Sequence, residues 1–404
     1  MTNPFATHWK TIAKPNTNLL KKVVTPYMIK QLFPGATIGI VGAGQLGKML
    51  AQSAQKMGYK VALYDPNPNS CGFAVAHHHT IASFDDEAAL MAFAQTVDVL
   101  TYEFENINGT ILAQLSQKAN LPQGTHLLQT SQHRLSEKQW LQANDIPVVP
   151  FMSVETSAQL DVAIEQLGLP ILLKSARFGY DGKGQLKLNT LEDLSRQQTE
   201  LAQLLQQPCV AEAYCPFDYE VSVIVARDGY GNIELFPLSV NEHCNGILYQ
   251  SVVGVSIPDS VVQQVHSIAK KIAHEAQLIG VCGIEFFVLK TGEVVVNELA
   301  PRPHNTGHYS IEACNVSQFD QHILAITGRQ LVPVTLLSPA RMVNILGQHI
   351  EDLPAAFAQF PHAMFHLYDK GTPALHRKMG HFTELSPEAQ FNQQPLTEWK
   401  AKFK

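Results

Sequence analysis

From residue 37 onward the apolar positions fall alternately into short unbroken runs and into helical spacing. Residues 37–41 predict a strand, 45–57 a helix, 60–65 a second strand, 85–95 a helix and 97–104 a third strand. That βαβαβ succession favours a parallel sheet. "LPQGTH" (121–126) reads as a boundary. A helix around 131–143 follows, then "DIPVVPF", a helix over 156–167 and a strand over 170–176. The glycine-rich "RFGYDGKGQ" leads into a short strand, "LKL", a helix over 190–206, a strand over 208–214 and a β-rich stretch, 219–257. Helix 259–277 carries Val261, Val265, Ile268, Ala269, Ile272 and Ala276 on one face, with Lys and His between them. Two strands meet in a hairpin over 283–299, and the segment beyond 330 reads as short strands and loops. The fold class is α/β and α+β, with an N-terminal parallel-sheet domain, a larger mixed domain and a small β-rich C-terminal domain.

A chain of 404 residues suffices for two or three domains. Charged residues are 16% and hydrophobic ones 45%, the balance of a compact soluble enzyme. With a formal net charge of −6 and no Lys/Arg stripe with interleaved aromatics, nucleic acid is not an expected partner. No apolar run approaches the length of a membrane span. Cys71, Cys209, Cys215, Cys244, Cys282 and Cys314 lie far apart and read as thiols in a reducing compartment. Residues 1–36 are basic, since the first acidic residue is Asp65, yet they lack the Arg, Ser and apolar core of targeting signals. They are expected to form a loosely ordered extension.

Three features carry chemistry. Gly42, Gly44 and Gly47 follow the first strand and open a helix, and Asp65 ends the second strand. This pattern fits a dinucleotide site and equally a tight strand–helix turn without ligand. In "GIEFFVLKTGEVVVNELAPR" a two-residue turn at Thr291-Gly292 sets Lys290 against Glu293, Leu289 against Val294, and Glu285 opposite Glu298. Opposed carboxylates on otherwise apolar strands suit a hard divalent cation; the alternative is a solvated outer face. In "LLKSARFGYDGKGQ", Lys174 ends a strand and Gly179, Gly182 and Gly184 follow, a loop able to close over phosphates or to serve as a plain hairpin. Glu212 ends a later strand, and Glu220 opens the next as a candidate acceptor for ribose hydroxyls.

Taken together, these residues resemble the ATP-grasp enzymes and, more narrowly, the N5-carboxyaminoimidazole ribonucleotide synthetase family. The resemblance runs from about residue 37 almost to the end, through "GAGQLGKMLAQSAQKMGY", "TYEFENI", "GYDGKGQ", "NELAPRPHNTGHYSIEAC" and "HLYDK…RKMGH". It implies a Rossmann-like pre-ATP-grasp domain (37–125) that holds no dinucleotide, an ATP-grasp domain (126–330) and a C-terminal domain (331–404), after the extension 1–36. It implies an ATP-dependent ligase that joins bicarbonate, through carboxyphosphate, to the exocyclic amine of 5-aminoimidazole ribonucleotide in purine biosynthesis. A cytoplasmic homodimer is expected, with ATP as co-substrate, Mg²⁺ (or Mn²⁺) as metal, and a separate mutase to take the product.

By the same resemblance, Arg134 and Lys174 meet ATP phosphates, and the loop Gly179, Tyr180, Asp181, Gly182, Lys183, Gly184 and Gln185 covers them. Glu212, Ala213, Tyr214 and Cys215 hold adenine, Glu220 the ribose, and His243 and Asn297 lie near the nucleotide, Asn297 only if its strand is bulged. Glu285 and Glu298 ligate the metal. Arg302, His304 and Asn305 face bicarbonate and carboxyphosphate, while Tyr180 and Asp181 steer the amine. Lys370, Arg377 and Lys378 clamp the 5′-phosphate, with Gln45 and Glu103 across the same pocket. Two departures stand out. His376 replaces a glycine frequent in relatives, so the turn carrying Arg377 and Lys378 is expected to differ in shape. Ala300 stands where many ATP-grasp enzymes have Asn. "AHHHT" is expected to be a polar loop, and His308 and His381 are either structural or support the site.

Overall fold

The computed structural model describes residues 30–177, 184–391 and 394–403. Four short strands, β1 (Thr37–Val41), β2 (Lys60–Tyr64), β3 (His78–Thr80) and β4 (Val99–Tyr102), form a parallel sheet in the order β3-β2-β1-β4. Ile38, Ile40, Val61, Leu63 and Val99 are fully buried, as expected of strands covered on both faces. β3 corrects the reading of "AHHHT" as loop: two of its histidines lie on this edge strand, and His77 accepts the Val61 amide at Nδ1. The three rings do not converge on a point, and the pairing that makes β3 comes from β2, outside the local pattern.

Strands β5 (Phe151–Val154), β6 (Ile171–Ser175), β7 (Gln185–Leu188) and β8 (Cys209–Ala213) form an antiparallel sheet in the order β5-β8-β6-β7. The helix expected over 190–206 is two pieces, Leu191–Arg196 and Gln198–Leu204.

The largest sheet contains β9 (Phe217–Arg227), β10 (Ile233–Leu235), β11 (Ser239–Cys244), β12 (Ile247–Val253), β13 (Gly280–Leu289), β14 (Val294–Ala300), β15 (Ala340–Leu346), β16 (Met364–Leu367) and β17 (Lys378–Leu385). Its order is β14-β13-β9-β11-β12-β15-β17-β16, with β10 added to β9. Gln250–Val253 pair directly with Ala340–Val343, so one sheet runs through the boundary expected at residue 330. The C-terminal segment thereby carries its cations to the edge of the same cleft as the carboxylates of β13 and β14. Helix Gln318–Ile326, which the sequence reading left unassigned, packs against helix Gln45–Lys56; Ser53 and Lys56 both bond Asp320. No helix among the described residues is long and apolar enough to cross a membrane, and none of the six cysteines is in a disulfide.

Candidate active site

The hairpin shows how local irregularity sets chemistry. Its loop is three residues, Lys290–Gly292, with Gly292 at φ +81°, and Leu289 donates to the carbonyl of Glu293. The expected two-residue turn was therefore off by one, and Val288, rather than Leu289, opposes Val294. A register shift between Glu285 and Phe286 leaves Asn297 as the extra residue and restores Glu285 opposite Glu298. Asn297, Glu285 and Glu298 all line one cleft of about 990 Å³. The bulge provides the turn of Asn297 toward the cleft that a regular strand would deny.

Glu285, Glu298 and His304 offer ligand atoms that lie within 4.8 Å of one another. Burial first, and then the facing Glu298, push the Glu285 carboxyl up from its ordinary range. His304 Nε2 is 3.9 Å from Glu285, and burial together with Arg302 holds that ring neutral. Two facing carboxylates and a neutral imidazole therefore lack a full counter-charge, although Arg134 approaches Glu298 at 3.6 Å. The two opposed carboxylates fit a hard divalent cation, with the neutral His304 ring beside them.

Behind this pair, helix Arg134–Ala143 presents Arg134, Glu137 and Lys138 at helical spacing on one face. Glu137 accepts the Leu299 amide, and burial followed by the facing Glu298 pushes it up to about 8. Lys138 and Lys174 flank Glu212 at 3.2 and 2.9 Å, all three nearly fully buried. Burial opposes ionisation of Glu212, yet the two ammonium groups bring it down to about 2. Lys174 lines the cleft, whereas Glu212 braces it from behind, and Glu212, Ala213, Tyr214 and Cys215 are not part of the cleft wall. The amides of Ala213 and Tyr214 are spent on Pro150 and Pro170. Glu220 pairs with His243 on the opposite wall, where Phe217 and Phe287 stack at 4.5 Å. Gln185 is on the wall; Gly184 is not. Gly179, Tyr180, Asp181, Gly182 and Lys183 lie outside the described residues.

The loop after β14 brings Arg302, His304 and Asn305 to the cleft. Arg302 already donates to Glu105 and to the Pro303 carbonyl. Both amide atoms of Asn305 are buried without a hydrogen-bond partner among the described residues. Gln318 brackets His304, accepting from its amide and donating to its carbonyl. Across the cleft Lys370 donates to Gln45 and to the Lys378 carbonyl, and Arg377 lines the same wall. His376 adopts φ +63°, a left-handed conformation that favours glycine, in the turn that leads into Arg377 and Lys378.

The glycine turn after β1 is filled by the protein itself. Glu103, 8% exposed, accepts the Gly44 amide at 2.9 Å, and a Cβ at Gly42 would lie 2.8 Å from its carboxyl carbon. A Cβ at Gly47 would lie 2.3 Å from the Gly42 carbonyl oxygen. Asp65 accepts the Ala43 amide rather than facing outward as a ribose ligand. The space a dinucleotide pyrophosphate would take at this helix N-terminus holds a carboxylate, which overturns the dinucleotide reading of this turn and with it an NAD-binding oxidoreductase as the alternative function.

The chain matches the ribonucleotide synthetase preATP-grasp domain over residues 35–132, the ATP-grasp domain over 139–319 and the phosphoribosylaminoimidazole carboxylase C-terminal domain over 340–393. It is 46% identical over 363 residues, 90% of this chain and 96% of the relative, to an N5-carboxyaminoimidazole ribonucleotide synthase from Staphylococcus aureus. The chain belongs to the N5-carboxyaminoimidazole ribonucleotide synthase family. A Staphylococcus aureus synthetase solved with ADP is similar at 45% identity and a TM-score of 0.87, covering 93% of this chain and 99% of that one. An Aspergillus clavatus synthase solved with ADP and 5-aminoimidazole ribonucleotide is similar at 29% identity and a TM-score of 0.85, covering 92% and 100%.

Sequence reasoning within this family framework missed Glu105, Glu137, Lys138 and Gln318. The i, i+3, i+4 spacing of Arg134, Glu137 and Lys138 was the one local signal available. Glu105 stands in the segment "TYEFENI" but acts on Arg302 across 197 residues, and Gln318 left no local signal.

Proposed function

We infer that this chain is an ATP-dependent ligase that carboxylates 5-aminoimidazole ribonucleotide on its exocyclic amine, giving N5-carboxyaminoimidazole ribonucleotide in purine biosynthesis. The observation that carries the reading is one cleft lined at once by opposed carboxylates, an Arg-His-Asn loop and a cluster of three cations.

Bicarbonate is a poor electrophile, so it must be activated. One of its oxygens attacks the γ-phosphorus of ATP, the bond to the bridging oxygen breaks, and ADP leaves with the electron pair. Carboxyphosphate then either accepts the amine nitrogen at its carbon, phosphate departing with the C–O pair and taking the amine proton, or first splits into phosphate and CO₂ inside the site. In the second case the amine nitrogen adds to CO₂ with loss of its proton to phosphate. Such transfers are governed by positioning and charge neutralisation. Lys174 and Arg134 hold the ATP phosphates, Lys174 fixed by Glu212. Glu285 and Glu298 would hold Mg²⁺, or Mn²⁺ in its place, whose charge neutralises phosphate oxygens. Loop 179–185 covers the phosphates. Phe287 and its stacked partner Phe217 lie beside the purine, with Glu220 and His243 toward the ribose and Asn297 toward the phosphates; Glu212 to Cys215 supply the strand end behind adenine.

Arg302, His304 and Asn305 receive bicarbonate; the unpartnered amide of Asn305 supports a polar guest there. Tyr180 and Asp181 steer the amine. Lys370, Arg377 and Lys378 hold the 5′-phosphate, and Gln45 orients Lys370. Glu103 shapes this pocket through the glycine turn. We further propose a cytoplasmic homodimer organised as domains 37–125, 126–330 and 331–404, handing its labile carbamate to a separate mutase.

The test is ADP release from Mg²⁺-ATP with bicarbonate or formate, with and without the ribonucleotide. Release stimulated by the ribonucleotide with bicarbonate, and amine consumed, supports the reading. Stimulation with formate alone would move the chain to a formate-using ligase, and no turnover would leave a silent nucleotide binder.

A further inference from the structure

Three imidazoles lie in contact, His308 tilted at 36° to His381 and His381 stacked on His366, beside the anion loop and the phosphate clamp, and the proposed reaction uses none of them. His308 ends the turn that follows the Arg302–Asn305 loop, and its ring lies 4.7 Å from that of His381 on β17. His381 in turn stacks on His366 of β16 at 4.5 Å and 13°. His308 and His381 are 1% and 0% exposed. On one side of the stack, Gln318 contacts His308 Nδ1 at 3.1 Å and brackets the backbone of His304. On the other, the Tyr368 hydroxyl is 2.7 Å from His381 Nδ1, two residues before Lys370 in the chain, and His381 follows Lys378 by three. His366 Nε2 donates to Glu312, which belongs to the helical segment after the anion loop. The His308–His381 contact and the His366–Glu312 bond tie the anion loop and the segment after it to the hairpin that carries the phosphate clamp, while the Tyr368–His381 and His366–His381 contacts brace that hairpin from within. Burial, and then neighbouring charged groups, hold His308 down to about 3 and His381 well below the ordinary imidazole range, so these rings pack as neutral groups.

We propose that the His308–His381–His366 stack, with Tyr368 and Gln318, is a joint that couples the ribonucleotide phosphate clamp to the anion loop, making His381 and Tyr368 positioning residues for carboxylation. The inference rests on the functional reading above. With the clamp set by the 5′-phosphate, the joint fixes His304 and Asn305, so phosphoryl transfer to bicarbonate is timed to the presence of the acceptor amine. A loose joint would let carboxyphosphate form without capture.

The experiment measures ADP released per ribonucleotide carboxylated in the wild type, Tyr368→Phe and His381→Phe, with thermal melting to confirm folding. The wild type should release one ADP per carboxylation. Both variants should raise that ratio about threefold or more, and ADP release without ribonucleotide should rise with it. An unchanged ratio in folded Tyr368→Phe overturns the joint, whatever His381→Phe does. A wild type that releases no ADP would overturn the functional reading instead. Amide exchange over residues 303–309 then decides the joint separately. Faster exchange there in Tyr368→Phe, whose lost bond to His381 lies outside that segment, supports it; unchanged exchange overturns it.

Discussion

Two anion-bearing regions of this molecule follow opposite logic. At the glycine turn, the amides of a helix N-terminus meet Glu103 and Ala43 meets Asp65, so donors and carboxylates answer one another within the fold. At the β13–β14 hairpin, Glu285 and Glu298 face each other without a full internal counter-charge, and burial together with Glu298 pushes Glu137 behind them up to about 8. Comparable chemistry is closed in one place and left open toward the cleft in the other. A motif becomes a site only where the fold withholds the partner.

The sharpest way to break this comparison is to open a closed place. Replacing Glu212 by Leu leaves Lys138 and Lys174 buried without their carboxylate, and stability should fall by about 3–5 kcal/mol. Denaturant titration checks this, and loss below about 1 kcal/mol would mean that the triad is not closed. The acid limb sharpens it: the folded carboxyl sits near 2, below its ordinary 4.5, so its contribution is present above 4.5 and is lost as pH falls toward 2.

At the open place the sign reverses. Glu298→Gln should lower kcat by about 100- to 1000-fold while raising the melting temperature of the metal-free protein, because one of two facing charges is gone. Lower activity with lower stability would show that the pair is structural.

Glu103 is closed yet pays desolvation. Burial raises it from 4.5 to about 6, partly offset by Arg302 and the Gly44 amide. Its favourable contribution is fully present below 4.5 and is lost as pH rises through about 6. Between pH 4 and pH 7.5 the wild type should lose about 2 kcal/mol relative to Glu103→Gln, measured by paired denaturation curves. A constant difference would contradict the burial argument.

The smallest effect is expected at His376. Its left-handed backbone costs about 1 kcal/mol, so His376→Gly should stabilise by that much or less without altering the clamp. A rise in ribonucleotide KM beyond about threefold would show that the ring itself serves the clamp.

The periodic segments were legible because local pattern decides them: β1, β2 and β4, helix Asp259–Glu275 and the hairpin strands all sit where alternation and helical spacing put them. The pairing of Glu285 with Glu298 was legible for a partly compensating reason. The turn is one residue longer than read, and the bulge at Asn297 returns the register. The residue before the bulge, Val296, is also bridged by Val148 from far along the chain, a contact that local sequence does not encode. The edge strand at His78–Thr80 and the continuation of the large sheet into β15–β17 were likewise invisible, because their partners lie far along the chain. Of the site, the charged residues in motif segments could be named. The braces Glu105, Lys138 and Gln318 depend on where separate elements meet.

The most direct test of the account is the fate of an oxygen. With bicarbonate labelled in all three oxygens by ¹⁸O, plus Mg²⁺-ATP and 5-aminoimidazole ribonucleotide, the inorganic phosphate formed in the first turnovers should carry one heavy oxygen, delivered through carboxyphosphate. Phosphate without the label, formed while the amine is carboxylated, would contradict the phosphoryl transfer on which the whole reading of this cleft depends.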